Sequence, residues 1–370
     1  MTNRTVLIFG ISLITVFLFG IFVGLTSSVE ELRSISPQLS NTILNSESEV
    51  EEIIPNISNQ INFMNQYEIS EKKNKLINFI WNSENLPLHY PDLIENNFSD
   101  SRFNDIQNLK QINKISIFME NDIHSYSYLF LPEQSNGKLI IYHQGHSGGF
   151  INGKNVIDKF VNSGFSVAAF SMPLIGLNNQ PTVQLENLGH VKFFKHNQLV
   201  LLESDDFSSM TYFFSPVNIT LNYIENNFSF DEYHMVGISG GGWTTTVYSA
   251  IDDRITKSFS VADSLPFSLR NTEADVGDYE QFNPKFYLIA NYLELYVMSS
   301  FGENQKHIQI INEYDPCCFS GNYEEDSYPD LVNQFLLNNG PGNFELITDD
   351  THFEHKISNF ALEHILQNLS

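Results

Sequence analysis

The sequence predicts an α/β protein built on a mostly parallel, twisted sheet with helices on both faces. Three observations carry this. Short apolar runs of strand length alternate with segments of helical character from about residue 110 to the end. Several runs, such as 138–142 (KLIIY), are almost wholly apolar, as strands buried on both faces are. Residues 112–119 and 124–131 instead read as an antiparallel N-terminal hairpin, which makes the sheet a mixed one.

In chain order, residues 5–25 come first. They carry no charge and are long enough to cross a hydrocarbon core of ~30 Å as one transmembrane helix. Arg4 precedes this stretch and Glu30 and Glu31 follow, so the remainder is expected outside the cytoplasm. The leading reading of residues 1–25 is a membrane anchor; the alternative is a cleaved signal peptide, with Thr26-Ser27-Ser28 as a weak cleavage site. Residues 26–60 are polar and acidic, a stalk or linker. A globular domain then spans 61–370, beginning with a helical segment over 61–81. After the hairpin come strand 138–142, helix 154–163, strand 165–170, a helix with a proline break over 207–226, and strand 233–238. A helix follows over about 241–250, then strands 255–261, 307–312 and 344–348, and a closing helix over 358–369. Residues 176–206 and 264–303 are long insertions; the second is rich in Tyr and Phe and either forms a cap over a site or fills the core. Asp275, Asp278 and Glu280 within it read as a solvated face.

Charge narrows the function classes. The 370 residues hold 19 Lys+Arg against 44 Asp+Glu, a formal net charge of −25. Such a surface repels phosphate backbones, which argues against nucleic acid as a partner. The two cysteines, Cys317 and Cys318, are adjacent, which excludes a multi-disulfide scaffold and an all-cysteine zinc site. Outside the cytoplasm they form either a strained vicinal disulfide or two thiols.

Chemistry concentrates in a few loops. Gly237-Ile238-Ser239-Gly240-Gly241 fits G-x-S-x-G, with an apolar strand before it and a helix after it. A strand that turns sharply into a helix leaves the serine hydroxyl exposed. Flanking glycines let the backbones approach, and the helix N-terminus offers N–H groups to a developing oxyanion. A second glycine-rich loop, His143-Gln144-Gly145-His146-Ser147-Gly148-Gly149, follows strand 138–142 and could aim a further N–H at the same oxyanion. His143 and His146 also read as ordinary loop histidines. No carboxylate or cysteine stands at ligand spacing beside them, so no metal site is expected. Asp315 follows strand 307–312, and His352 and His355 follow strand 344–348, in the order Ser, Asp, His. Either histidine suits a base. His352 is nearer the strand; His355 sits just before the last helix, where Ser358 suits an N-cap.

At these residues the chain resembles the α/β-hydrolase superfamily, over roughly residues 110–370. The stretch GISGGGWTTTVYSAIDDRITKSFSVAD looks like the elbow, helix and next strand of esterase- and acyl-peptidase-like members, and HKIS before the final helix looks like their base position. The resemblance implies Ser239 as nucleophile, His355 as base (His352 its alternate) and Asp315 as orienter. The backbone N–H groups of Gly240 and His146 would be the oxyanion donors. Gln144 after His143 departs from the simplest His-Gly-Gly oxyanion pattern.

The implied reaction is hydrolysis of a small-molecule carboxylic ester through an acyl-enzyme, with no cofactor and no metal required. Peptidase and thioesterase activities belong to the same chemistry. A catalytically silent hydrolase fold serving as a surface binding module is the alternative from another class.

Overall fold

The computed structural model describes residues 60–323 and 327–369. Segment 5–25 and nearly all of the stalk lie outside them. Among the described residues no helix is long and apolar enough to cross a membrane.

The first element of the described residues is α1 (Gln66–Trp81), whose cap residue Asn65 accepts the Glu68 N–H at 3.1 Å. The short β1 (Leu93–Glu95) pairs antiparallel with β2 (Leu109–Phe118), and β2 forms the expected hairpin with β3 (His124–Pro132). Then come β4 (Lys138–His143), α2 (Lys154–Asn162) and β5 (Ser166–Phe170). The insertion after β5 contains a small separate hairpin, β6 (Thr182–Leu185) and β7 (Gly189–Lys192). The chain continues through α3 (Thr211–Asn227), β8 (Glu232–Ile238), α4 (Gly240–Ile251) and β9 (Ile255–Val261). After two single helical turns, Tyr279–Phe282 and Pro284–Tyr287, come α5 (Tyr292–Ser300), β10 (Lys306–Asn312), α6 (Ser327–Asn339), β11 (Asn343–Asp349) and α7 (Asn359–Leu369).

Nine strands form the main sheet in the order β1-β2-β3-β5-β4-β8-β9-β10-β11. Pairing is antiparallel from β1 to β5 and parallel from β5 to β11. Alternation along the strands sorts side chains onto two apolar layers. Leu139, Ile141, Ala168, Phe170 and Met235 join the layer of α1, α3, α4, α5 and α6. Ile140, Tyr142, Val167, Ala169, Val236 and Ile238 join the layer of α2 and α7. The apolar run of β4 thus has the cause inferred from it: both faces are covered.

Two expectations change, and of the two readings of the insertion the core-filling one holds. The helix anticipated over 207–226 begins at Thr211 and is not broken at Pro216. The proline removes one N–H in the second turn, and buried Phe213, Phe214 and Val217 hold that turn in the core. The insertion over 264–303 fills the core rather than standing open: Tyr279, Phe286, Tyr287, Tyr292, Leu293 and Tyr296 are all buried. β1, the β6–β7 hairpin and α6 were not foreseen.

Two features position the loops at the C-terminal ends of the parallel strands. The first is a close approach of backbones. A Cβ on Gly241 would lie 2.1 Å from the His143 carbonyl oxygen and 2.7 Å from that of Gln144. A Cβ on Gly237 would lie 2.1 Å from the Gly241 carbonyl oxygen. Only hydrogen fits at both positions. The second is the fixing of α7 at both ends. Ser358 Oγ accepts the Ala361 N–H at 3.0 Å, the N-cap that the sequence suggested. At the other end Lys138 Nζ donates to the Leu369 carbonyl (2.8 Å) and Lys257 Nζ to the Asn368 carbonyl (2.6 Å), where cations suit the last carbonyls of a helix.

Gly241→Ala therefore destabilises the protein by about 3 kcal/mol or more, because the methyl meets backbone that cannot move aside. Urea unfolding checks this, with Gly189→Ala, which meets no atom within 4 Å, as the comparison at an open positive-φ position.

Candidate active site

Ser239 caps α4 with φ 56° and ψ −129°. For a residue with a Cβ this region costs of order 1–3 kcal/mol and persists only where surroundings impose it. Here the Ser239 N–H donates to the Val261 carbonyl at 2.8 Å, and its own carbonyl accepts the Trp243 N–H at 2.9 Å. The turn is locked to β9 on one side and α4 on the other. The hydroxyl makes no hydrogen bond to any described residue. Gly145 passes close over it, since a Cβ there would lie 3.1 Å from Ser239 Oγ.

Asp315, His355 and the 143–149 loop follow β10, β11 and β4, so all of these residues stand at the same end of the sheet as Ser239, which follows β8. His355 Nδ1 is 2.7 Å from Asp315 Oδ2. That oxygen also accepts Asn312 Nδ2 at 3.1 Å, and Oδ1 accepts the Cys317 N–H at 2.8 Å. Burial works against the Asp315 carboxylate. The hydrogen bonds of His355, Cys317 and Asn312 outweigh it and hold its pKa below the ordinary value. Burial likewise works against the His355 cation, and the Asp315 hydrogen bond and charge outweigh it, so the His355 pKa is raised. His352 faces elsewhere. Its Nδ1 accepts the Glu354 N–H at 3.1 Å, and its Nε2 lies 3.3 Å from Asp349. Of the two candidate histidines, His355 is the one joined to Asp315. The structure pairs the acid with this histidine, and among the described residues neither is hydrogen-bonded to the Ser239 hydroxyl.

The loop after β4 divides its two histidines. His143 is buried, not a surface residue; burial above all drives its pKa down to about 4, although its Nδ1 sits 3.0 Å from the Gln144 carbonyl. Gln144 turns inward as well, its Oε1 accepting the Tyr142 hydroxyl. The residue that meets the elbow is His146: a Cβ on Gly240 would lie 2.4 Å from His146 Cε1. The His146 backbone N–H donates to no described residue, and Gly240 opens α4, where N–H groups lack intrahelical acceptors.

Two further features border this region, and the second escaped sequence reasoning. Cys317 and Cys318 are free thiols with their sulfurs 2.7 Å apart. The Cys318 hydrogen bond, above all, pushes the Cys317 thiol down to about 6 against its partial burial, with the His355 charge assisting. Glu280 is fully buried, and Asp275 nearly so, which corrects the reading of this stretch as a solvated face. Its backbone places Glu280 beside His146 and His196, partners 134 and 84 residues away. Spacing in the sequence carries no trace of that meeting.

The structure is similar to that of an acetyl xylan esterase from Paenibacillus sp. R4, with TM-score 0.54 and 13% identity over 84% of this chain and 96% of that one. It is also similar to acetyl xylan esterase 1 from Thermoanaerobacterium sp. JW/SL YS485, with TM-score 0.53 and 14% identity over 85% of this chain and 98% of that one. The chain has the α/β-hydrolase fold. No family model and no curated protein matches it. Within this fold the strained Ser239 occupies the strand-to-helix elbow, and the Asp315–His355 pair lies beyond the following strands in the order Ser, Asp, His.

Asp315→Asn removes the charge that raises His355. The His355 pKa then falls. Imidazole resonances followed by NMR across a pH titration measure this directly.

Proposed function

We propose that the chain is a serine hydrolase of carboxylic esters, with Ser239 as nucleophile, His355 as base and Asp315 as its orienter. One observation carries the reading. A serine is held in a costly backbone conformation at a glycine-lined elbow, with its hydroxyl bonded to no described residue, at the sheet end that also bears a carboxylate-paired histidine.

Each role follows from what the group touches. With Nδ1–H donated to Asp315, the neutral imidazole presents Nε2 as the lone pair that takes the Ser239 proton as Oγ attacks the ester carbonyl. The cation formed on His355 is stabilised by the same carboxylate. The tetrahedral oxyanion is received by the N–H groups of Gly240 and His146. Collapse expels the alcohol, which takes the proton from His355, and water activated by His355 then releases the acid from the acyl-enzyme. The Asp315 carboxylate stays ionised because its pKa is depressed. The names of the two similar structures put small O-acyl esters first among substrates to try. Residues 5–25, read as an anchor, put this chemistry outside the cytoplasm.

A fluorophosphonate probe should label Ser239, with the adduct located by mass spectrometry and absent from Ser239→Ala. Turnover of short-chain aryl esters falls by about 10⁴-fold or more in Ser239→Ala. Labelling elsewhere, or unchanged turnover in the folded variant, overturns the proposal. Thioester and amide analogues in the same assay separate the esterase from thioesterase and peptidase readings. The pH dependence has a definite sign. The base works neutral and its pKa is raised, so activity climbs with pH through a midpoint above the ordinary histidine value of about 6.5. In Asp315→Asn that midpoint moves down.

A further inference from the structure

Four ligand-type side chains converge beside the elbow from three separate segments: His146 after β4, His196 on the turn Phe193 leads into, and Asp278 and Glu280 in the insertion before α5. Their nearest atoms are His146 Nε2, His196 Nδ1, Asp278 Oδ2 and Glu280 Oε1, all within 4.8 Å of one another. His146 Nε2 is 2.8 Å from Glu280 Oε1, 3.0 Å from His196 Nδ1 and 3.3 Å from Asp278 Oδ2. His196 Nδ1 is 3.0 Å from Glu280 Oε1.

Protons account poorly for this arrangement. Three atoms here form a closed triangle, and a proton lies along one edge at a time. With two protons directed at Glu280, two N–H groups are left crowded against each other at 3.0 Å. His196 adds a constraint of its own. Its Nε2 is 2.8 Å from the Pro173 carbonyl, which only accepts, so Nε2 carries the hydrogen and the neutral ring turns its Nδ1 lone pair into the cluster. A backbone carbonyl orienting one imidazole nitrogen so that the other faces inward is the usual outer support of a metal-bound histidine. Glu280 supplies a second, independent sign. Its side chain is fully buried, and Oε2 has no partner among the described residues. Two neutral imidazoles and two carboxylates carry two negative charges, which one divalent cation cancels.

We propose that His146, His196, Asp278 and Glu280 form a binding site for one divalent transition metal, with Zn²⁺ the ion their donors suit. Two imidazole nitrogens and two carboxylate oxygens are ordinary zinc ligands, and bonds of about 2.0–2.2 Å in a tetrahedron set ligand atoms ~3.4 Å apart, close to the spacing here. The borderline nitrogen donors disfavour Mg²⁺ and Ca²⁺, which take oxygen. Such an ion ties the loop after β4 to the insertion before α5. It does so through the ring of His146, whose Cε1 borders Gly240. The role is positioning, since neither Ser239 nor the Asp315–His355 pair is a ligand.

The test reads metal content, so its failure leaves the hydrolase reading standing. The full chain is stripped with chelator, equilibrated with micromolar Zn²⁺, dialysed and analysed for metal. About one zinc per chain is expected, with His196→Asn and Glu280→Gln each retaining less than about a tenth of that. Asp278→Asn, whose side chain is partly exposed and tolerates change, serves if those variants fold poorly; it should weaken zinc by roughly tenfold or more in a chelator competition. Zinc should also raise the Tm of the wild-type chain and not that of Glu280→Gln. The double variant Cys317→Ser/Cys318→Ser, which removes every thiol, should keep its zinc. Folded wild-type protein without zinc, zinc unchanged in the histidine and acid variants, or zinc lost with the thiols would each overturn the proposal.

Discussion

The backbone of β4, the backbone of β8 and the first turn of α4 meet with no side chain between them. Gly237 and Gly241 exist in this chain because a methyl at either would sit 2.1 Å from a carbonyl oxygen. Everything at the upper end of the sheet inherits its position from that contact. It lets α4 start immediately after the strand and forces Ser239 into its strained turn. It also brings the 143–149 loop onto the elbow, with Gly145 against the Ser239 side chain and the His146 ring against Gly240. The energy stored at Ser239 is small beside the burial of the fully enclosed Trp243 and the rest of α4, which is why the strain survives.

The Asp315–His355 pair rests on a different support. Asp315 is held by Asn312 and by the Cys317 N–H, within a turn at the end of β10. His355 sits on the short link between β11 and α7, and that link is taut because Ser358 caps α7 and two lysines hold its last carbonyls. The two halves of the pair thus approach from separately anchored loops. Hydrogen bonding then wins over desolvation on both sides, which lowers one pKa and raises the other.

Much of this was legible beforehand, and the reason is physical. Runs such as 138–142 and 233–238 report burial on two faces, and the G-x-S-x-G spacing reports a backbone contact that only glycine allows. Ser239, Asp315 and His355 could be singled out because local sequence, strand ends and chain order constrain them together. What escaped depended on distant partners. Pro216 looked like a break because its own turn is unfavourable, and the packing that holds it comes from elsewhere in the fold. Glu280 read as exposed because its neighbours in sequence are polar, whereas its neighbours in space are two imidazoles. The choice between His352 and His355 rested on a few residues of loop, whereas in space His355 pairs with Asp315 and His352 lies beside Asp349. Asparagine also has a local use: Asn82, Asn97, Asn121, Asn187 and Asn304 all take positive φ, where glycine would otherwise serve.

The sulfur pair beside the acid bears on how this protein would be classified at the bench. Cys317 is exposed, its thiol is already pushed down to about 6, and it lies within electrostatic reach of His355. At neutral pH it is largely a thiolate and open to alkylating agents. A bulky group placed there would crowd the His355 imidazole, whose nearest ring nitrogen is within 4.8 Å of the sulfur. Inhibitor profiling would then report thiol-dependent activity, which under the proposed mechanism reflects crowding of the base and not attack by sulfur.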